Sequence, residues 1–279
     1  MSDLRLFVTD LDGTILIDRG VDGTHSTPRL RAALAGLQRA GVSVCLASGR
    51  MHESIRHIAQ DLGVGGPIIS YNGAMLRGPQ DELWAHHTLD AGLAAEVVDL
   101  CEARGLRLNY YLDGVLYARK IQPWWDLYHG RTSSPMQAVE GHQAFKGRRP
   151  TKLLIYTDPA TVLALRAELA PRCAGRCELM ITADEYLEFI PAGVDKGHAL
   201  AELAQRLGLG PDQVAAAGDG WNDLGMLRWA GTSIAMANGR EDLKSVAKVV
   251  VPGPEQDGLA DWIERHLLSQ ALAGEDARG

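Results

Sequence analysis

Four carboxylates in two short motifs could do chemistry: Asp10 and Asp12 in Asp10-Leu11-Asp12-Gly13-Thr14, and Asp219 and Asp223 in Gly218-Asp219-Gly220-Trp221-Asn222-Asp223. Two further signals have the same form, a polar cluster after an apolar run: Ser48-Gly49-Arg50 and Tyr71-Asn72-Gly73. If the four runs are parallel strands of one open sheet, their carboxyl ends form the crevice where ligands bind. Asp10, Asp12, Asp219 and Asp223 then crowd together. Two like charges about 4 Å apart repel by roughly 4 kcal/mol even at an effective dielectric near 20, and a bound cation would relieve that repulsion. Oxygen-only ligands beside a polyanionic substrate point to Mg²⁺, which prefers one or two carboxylates, several waters and a substrate phosphate. Lys196, at a helix start in Val194-Asp195-Lys196-Gly197, could add a fixed positive charge on the same anion.

The elements that would position these groups alternate in the first part of the chain. Leu4 to Thr9 reads as a buried strand. Thr27-Pro28 opens a helix as cap and first-turn proline, with Leu30, Leu34 and Leu37 on one face and Gly41 at its end. Val42 to Ala47 is the next strand, a helix from about Glu53 to Leu62 follows, and Ile68 to Tyr71 is a third strand. This β-α-β-α-β order predicts a parallel sheet with helices on its faces. The same grammar returns late in the chain. Asp195 caps a helix with Leu200, Leu203 and Leu207 on one face, and Gly208 ends it. Strands are expected at Val214 to Ala217, Ser233 to Met236 and Val249 to Val251, then an amphipathic helix with Leu259, Trp262, Ile263 and Leu267, fraying beyond about Ala273.

Between these parts the pattern becomes antiparallel. Asp90 opens a helix, and the runs Leu106 to Leu112 and Val115 to Ala118 flank Asp113-Gly114, a two-residue hairpin signal. Lys152 to Tyr156, a helix begun at Asp158-Pro159, and the runs Cys177 to Ile181 and Tyr186 to Ile190 repeat that unit. The expected fold class is α/β, a doubly wound parallel-sheet core of residues 1–85 and 188–279 with an inserted α+β domain at 86–187.

With 279 residues, 46% of them hydrophobic, the chain can bury its own core. A net charge of −7 argues against an extended nucleic-acid surface, though one positive pocket can still hold a small anion. No apolar run is long enough to cross a bilayer, and Met1-Ser2-Asp3-Leu4-Arg5 does not lead into a signal-peptide core, so a cytoplasmic protein is expected. Cys45, Cys101, Cys173 and Cys177 lack zinc-site spacing and read as reduced structural thiols. His86-His87 has no convincing ligand partners in the sequence.

The ordered motifs resemble those of the haloacid dehalogenase superfamily, in its Cof-type branch with a large C2-type cap inserted between the second and third motifs. Asp10-Leu11-Asp12-Gly13-Thr14 fits the first motif, Ser48-Gly49-Arg50 the second, Lys196 the third, and Gly218-Asp219 with Asn222-Asp223 the fourth. The resemblance implies a phosphatase in which Asp10 attacks phosphorus and becomes an aspartyl phosphate, while Asp12 protonates the leaving oxygen and then activates water. It further implies a Mg²⁺ ion on Asp10, the Asp12 backbone carbonyl and Asp219, with Asp223 reached through water or as a supporting partner. The Asp12 carboxyl would then be free to carry a proton. Ser48, the Gly49 backbone and Lys196 would hold the transferring phosphoryl oxygens, with Arg50 and Asn222 as supports and Asn72 and Asn238 as substrate-side or loop-shaping positions.

Small phosphorylated metabolites are the expected substrates, sugar phosphates first and phosphorylated cofactors such as pyridoxal phosphate or FMN second, for a monomer or small homo-oligomer. A phosphomutase shares the first half-reaction, and a non-catalytic phosphometabolite-binding regulatory module would keep the acidic site without turnover. Two features depart from the branch: the Gly220-Trp221 interior of motif four and a long segment from Ile15 to Ser26. Within the insertion, Trp124, Trp125, Tyr128, His129 and Arg131, with Arg148-Arg149 nearby, are either a substrate-selecting lid or cap core and surface.

Overall fold

The computed structural model describes residues 4–18, 24–120 and 134–268. Leu6–Thr9, buried on both faces, lies in the middle of an eight-stranded sheet, as expected of a strand with a continuous apolar run. Edge to edge the order is Val249–Val251, Thr232–Met236, Val214–Gly218, Leu6–Thr9, Ser43–Ala47, Ile68–Ser70, Met75–Arg77 and Leu83–His86. The first six are mutually parallel, and Met75–Arg77 runs antiparallel to both of its neighbours, Ile68–Ser70 and Leu83–His86. That edge pair is an addition to the sequence reading, as is the small hairpin Ile17–Asp18 with Thr24–His25.

Successive side chains of a strand point to opposite faces, and both faces are covered. Phe7 and Val44 pack with Leu34, Ile55 and Trp262 on one side, whereas Leu6 and Val8 meet Leu200, Leu203 and Met226 on the other. Local signals fix where the helices begin: Thr27 Oγ1 accepts from the Leu30 N–H ahead of Pro28–Arg39, and Asp195 Oδ1 accepts from the His198 N–H at 2.6 Å to start Lys196–Leu207. Strand succession runs outward from Leu6–Thr9 in one direction and resumes at Val214–Gly218 in the other. The chain order therefore switches between those two strands, and a crevice opens at their carboxyl ends.

The second sheet has six strands, in the order Met136–Ala138, Val115–Ala118, Arg107–Leu112, Lys152–Tyr156, Tyr186–Pro191 and Cys177–Ala183. Asp113 and Gly114, at φ 52° and 77°, make the expected tight hairpin with Leu112 opposite Val115. The pairing is antiparallel except for Met136–Ala138, which the sequence reading did not identify and which runs parallel to its neighbour. One face carries Ala91–Arg104 and Pro159–Cys173, whose Leu93, Val97, Leu165 and Leu169 pack on Leu153 and Phe189. The other face turns toward the first sheet, where Tyr111, Leu154 and Ile190 meet Met51, Tyr71 and Met75. Leu83–His86 and Tyr186–Pro191 each run across an expected domain boundary. All four cysteines are buried and free.

Candidate active site

Asp10 follows Leu6–Thr9, and its N–H donates to the Ala217 carbonyl at 2.9 Å, which sets it beside the Gly218-Asp219 turn. The small run Val-Ala-Ala-Ala-Gly at 214–218 lets that turn come close. Gly13, at φ 79°, closes the approach: a Cβ there would lie 2.3 Å from Asp219 Oδ2. Thr14, buried next to it, has its hydroxyl 3.3 Å from both Asp10 Oδ2 and Asp219 Oδ1. Having one hydrogen, it donates to one carboxylate at a time and sits between the two. Thr14 was legible only as part of its motif, with no role of its own.

Lys196 is completely buried in the first turn of its helix, its Nζ donating to Asp10 Oδ1 at 2.5 Å and Asp223 Oδ1 at 2.6 Å. Asp223 Oδ2 accepts from the N–H groups of Asp219 and Gly220 at 3.0 and 2.8 Å. With both its oxygens engaged, Asp223 orients the lysine and the turn that carries Asp219. Asn238 Nδ2 donates to the Gly13 carbonyl at 2.9 Å and lies 3.4 Å from Asp219 Oδ2, tying the two acidic turns together.

One ammonium thus faces three carboxylates, Asp10, Asp219 and Asp223, whose oxygens come within 4.8 Å of one another. Burial, then repulsion from Asp223, raise the Asp10 pKa well above the ordinary carboxylate value against the opposing pull of Lys196. The same two causes raise Asp219 to about 6. Burial alone would lower Lys196, but Asp10 and Asp223 outweigh it and hold its pKa above the usual lysine value. Three carboxylates and one ammonium leave two negative charges, all on oxygen, in a partly closed crevice. That donor set fits a hard divalent cation.

Asp12 is half exposed, and its carboxylate is not free. Arg50 forks onto it, Nε to Oδ2 at 2.8 Å and Nη2 to Oδ1 at 2.5 Å. The fork forms because the two adjacent parallel strands end level, placing the loop after each on the same rim. Ser48 Oγ accepts from the Arg50 N–H at 3.2 Å. Asn72, buried at φ 55°, accepts on Oδ1 from Asn222 Nδ2 at 2.8 Å and donates from Nδ2 to Glu188 Oε2 at 3.1 Å. A Cβ on Gly49 would lie 2.9 Å from Asn72 Oδ1, so only glycine lets that amide lie against the loop. Glu188 and Lys152, from the second sheet, gave no signal in the sequence.

Trp221 is 55% exposed, with the Arg240 guanidinium 5.4 Å from its ring centre. Both line a cavity of about 240 Å³ whose opposite wall is the Met180–Asp184 hairpin of the second sheet. Arg148 pairs with Asp113, and Arg149 bonds Thr88, both at the surface. Trp124, Trp125, Tyr128, His129 and Arg131, the middle of the Ile15 to Ser26 segment and the stretch beyond Ala273 lie outside the described residues. His87 requires a correction: its Nε2 reaches Glu202 Oε2 at 3.4 Å and its ring meets His198, so the three residues offer clustered ligand atoms that linear spacing conceals. His86 bonds Thr151 Oγ1 at 2.8 Å.

The family model of the haloacid dehalogenase-like hydrolases matches residues 7–263, and the chain belongs to that family. The 5-amino-6-(5-phospho-D-ribitylamino)uracil phosphatase YitU of Bacillus subtilis is 28% identical over 94% of this chain and 97% of its own. A phosphoglycolate phosphatase of Methanopyrus kandleri is 30% identical over 96% and 99%. The crystal structure of a haloacid dehalogenase-like hydrolase from Bacteroides thetaiotaomicron matches with a TM-score of 0.85 at 27% identity, covering 94% of this chain and 99% of that one. The chain is a phosphoric monoester hydrolase of this family. Among the described residues, no helix is long and apolar enough to cross a membrane.

Proposed function

We propose that the protein is a Mg²⁺-dependent phosphatase of small phosphorylated metabolites, sugar phosphates first and phosphorylated cofactors second, with Asp10 as nucleophile. The observation that carries this is the Asp10 carboxylate itself, buried at the strand switch point with Lys196 on one oxygen and Thr14 beside the other. Asp10 and Asp219 would hold the cation, and Asp223, whose oxygens are engaged by Lys196 and two backbone N–H groups, would support it. When bound, the cation supplies charge neutralisation that keeps Asp10 ionised and screens the incoming phosphoryl group.

A carboxylate oxygen of Asp10 attacks phosphorus, the bond from phosphorus to the ester oxygen breaks, and Asp12 gives that oxygen a proton. Water then attacks the aspartyl phosphate, Asp12 takes its proton, and Asp10 is regenerated with release of inorganic phosphate. For Asp12 to act, the Arg50 fork must open; a substrate anion arriving at Arg50 competes for the same donors. Ser48, the Gly49 backbone and Lys196 hold the transferring oxygens. The cavity between Trp221, Arg240 and the cap hairpin would take the leaving group.

The test is hydrolysis of an aryl phosphate with and without Mg²⁺, for the wild type and Asp10→Asn. Phosphate release should require the metal and vanish in the variant. Substantial activity of pure Asp10→Asn would remove Asp10 as nucleophile, and return of the phosphoryl group to substrate instead of water would favour a mutase.

A further inference from the structure

Lys152 and Glu188 form a buried ion pair, 4% exposed each, with Nζ 3.1 Å from Oε1. Isolating such a pair from water costs several kcal/mol per ion unless further bonds satisfy it. Each further bond of the pair either closes it or reaches into the crevice. Glu188 Oε1 also accepts from Thr182 Oγ1 at 3.0 Å, while Oε2 accepts from Asn72 Nδ2. Lys152 Nζ donates to the Gly49 carbonyl at 3.1 Å and lies 4.8 Å from the centre of the Tyr111 ring. Both residues point off the cap sheet toward the core because their strands pair with Leu154 opposite Glu188, which places Lys152 and Glu188 on the same face.

The Gly49 carbonyl belongs to the peptide whose N–H is that of Arg50. Its oxygen is held by Lys152 and its hydrogen by Ser48 Oγ. The peptide plane is therefore clamped at both ends, and Ser48, accepting on one lone pair, keeps its own hydrogen to donate. Through Asn72 and then Asn222, the Glu188 side of the pair reaches the motif-four turn as well. Neither charged group has an oxygen or nitrogen left unengaged that would suggest it waits for a leaving group.

We propose that Lys152 and Glu188 are positioning residues for the phosphoryl-transfer step: the inserted domain clamps the Gly49-Arg50 peptide and so aims the Ser48 hydroxyl at the transferred phosphoryl group. This rests on the phosphatase reading above. It makes the cap a structural part of the phosphoryl site as well as a cover over the leaving group. The pair should matter equally for every substrate, because the phosphoryl group is common to all of them.

The experiment compares wild type, Lys152→Met and the charge-free double variant Lys152→Met/Glu188→Gln. The double variant guards against misfolding, since removing both charges avoids stranding one of them. Turnover is measured on a small aryl phosphate and on a bulky sugar phosphate, and orthovanadate affinity is measured by calorimetry without turnover. Misplacing a phosphoryl donor predicts a fall in kcat of about 10- to 100-fold, by the same factor for both substrates. Vanadate binding should weaken by a similar factor while KM stays within about threefold. An unchanged kcat, or a loss differing about tenfold between the two substrates, would overturn the proposal, the latter by making the pair a leaving-group reader. If wild type binds vanadate but hydrolyses nothing, the phosphatase reading fails, and the clamp is still judged on the vanadate affinities.

Discussion

Replacing Asp219 by asparagine should stabilise the metal-free protein at neutral pH while abolishing its response to Mg²⁺. Burial and Asp223 raise the Asp219 pKa from 3.8 to about 6. A folded-state pKa above the unfolded one contributes stability that is complete below about pH 4 and is lost as pH rises to about 6. At pH 7.5 the ionised carboxylate is therefore a liability. A shift of about two units corresponds to about 3 kcal/mol, which partial exposure of Asp219 reduces to about 2 kcal/mol. Asparagine has the shape of the protonated acid at every pH and can still accept from Thr14. In EDTA, Asp219→Asn should melt with wild type near pH 4 and about 4 °C above it at pH 7.5, at about 2 °C per kcal/mol for a chain of this size. Millimolar Mg²⁺ should raise the melting temperature of wild type and leave the variant unmoved. A variant less stable than wild type in EDTA at pH 7.5, or one stabilised by Mg²⁺ to the same extent, would refute the charge-crowding account of this crevice.

Three other outcomes follow from the same geometry. Lys196→Met strands the buried carboxylates of Asp10 and Asp223; urea unfolding in EDTA at pH 8 should show a loss of about 3–5 kcal/mol, smaller at pH 5, with no turnover at either pH. Gly13→Ala puts a methyl group 2.3 Å from Asp219 Oδ2 at a backbone φ of 79°, so kcat should fall about 100-fold and the Mg²⁺ concentration needed for activity should rise, as a metal titration would show. Trp221→Ala removes an exposed ring from one wall of the cap–core cavity. Its stability should change by no more than about 0.5 kcal/mol, whereas the KM ratio between bulky and small phosphate esters should shift by at least about threefold.

Much of the site can be read from the chain because each part carries a local signature. Asp10, Ser48 and Asp219 each follow an apolar run that can only be a buried strand, and Asp195 announces the helix that begins with Lys196. The hairpin at Asp113-Gly114 is legible for the same reason, since two adjacent residues supply the left-handed backbone it needs. Lys152 and Glu188 are different. Each is an ordinary polar residue in a strand, and they meet only through the pairing of Lys152–Tyr156 with Tyr186–Pro191 and the docking of that sheet on Gly49 and Asn72. The Asp12–Arg50 fork and the approach of His87 to His198 and Glu202 were hidden in the same way.

By itself, then, the sequence determined the grammar of the elements and the chemical groups at the strand ends, because apolar periodicity, caps and turns act over a few neighbouring residues. Only the tertiary structure decided which groups face one another: that Asp223 spends its oxygens on Lys196 and the turn, that Asp12 is held by Arg50, and that the inserted sheet reaches the Gly49 carbonyl. Those contacts depend on strand order, register and the packing of one sheet against another. A one-residue slip in register would turn Glu188 away from Asn72 with no change in composition or pattern.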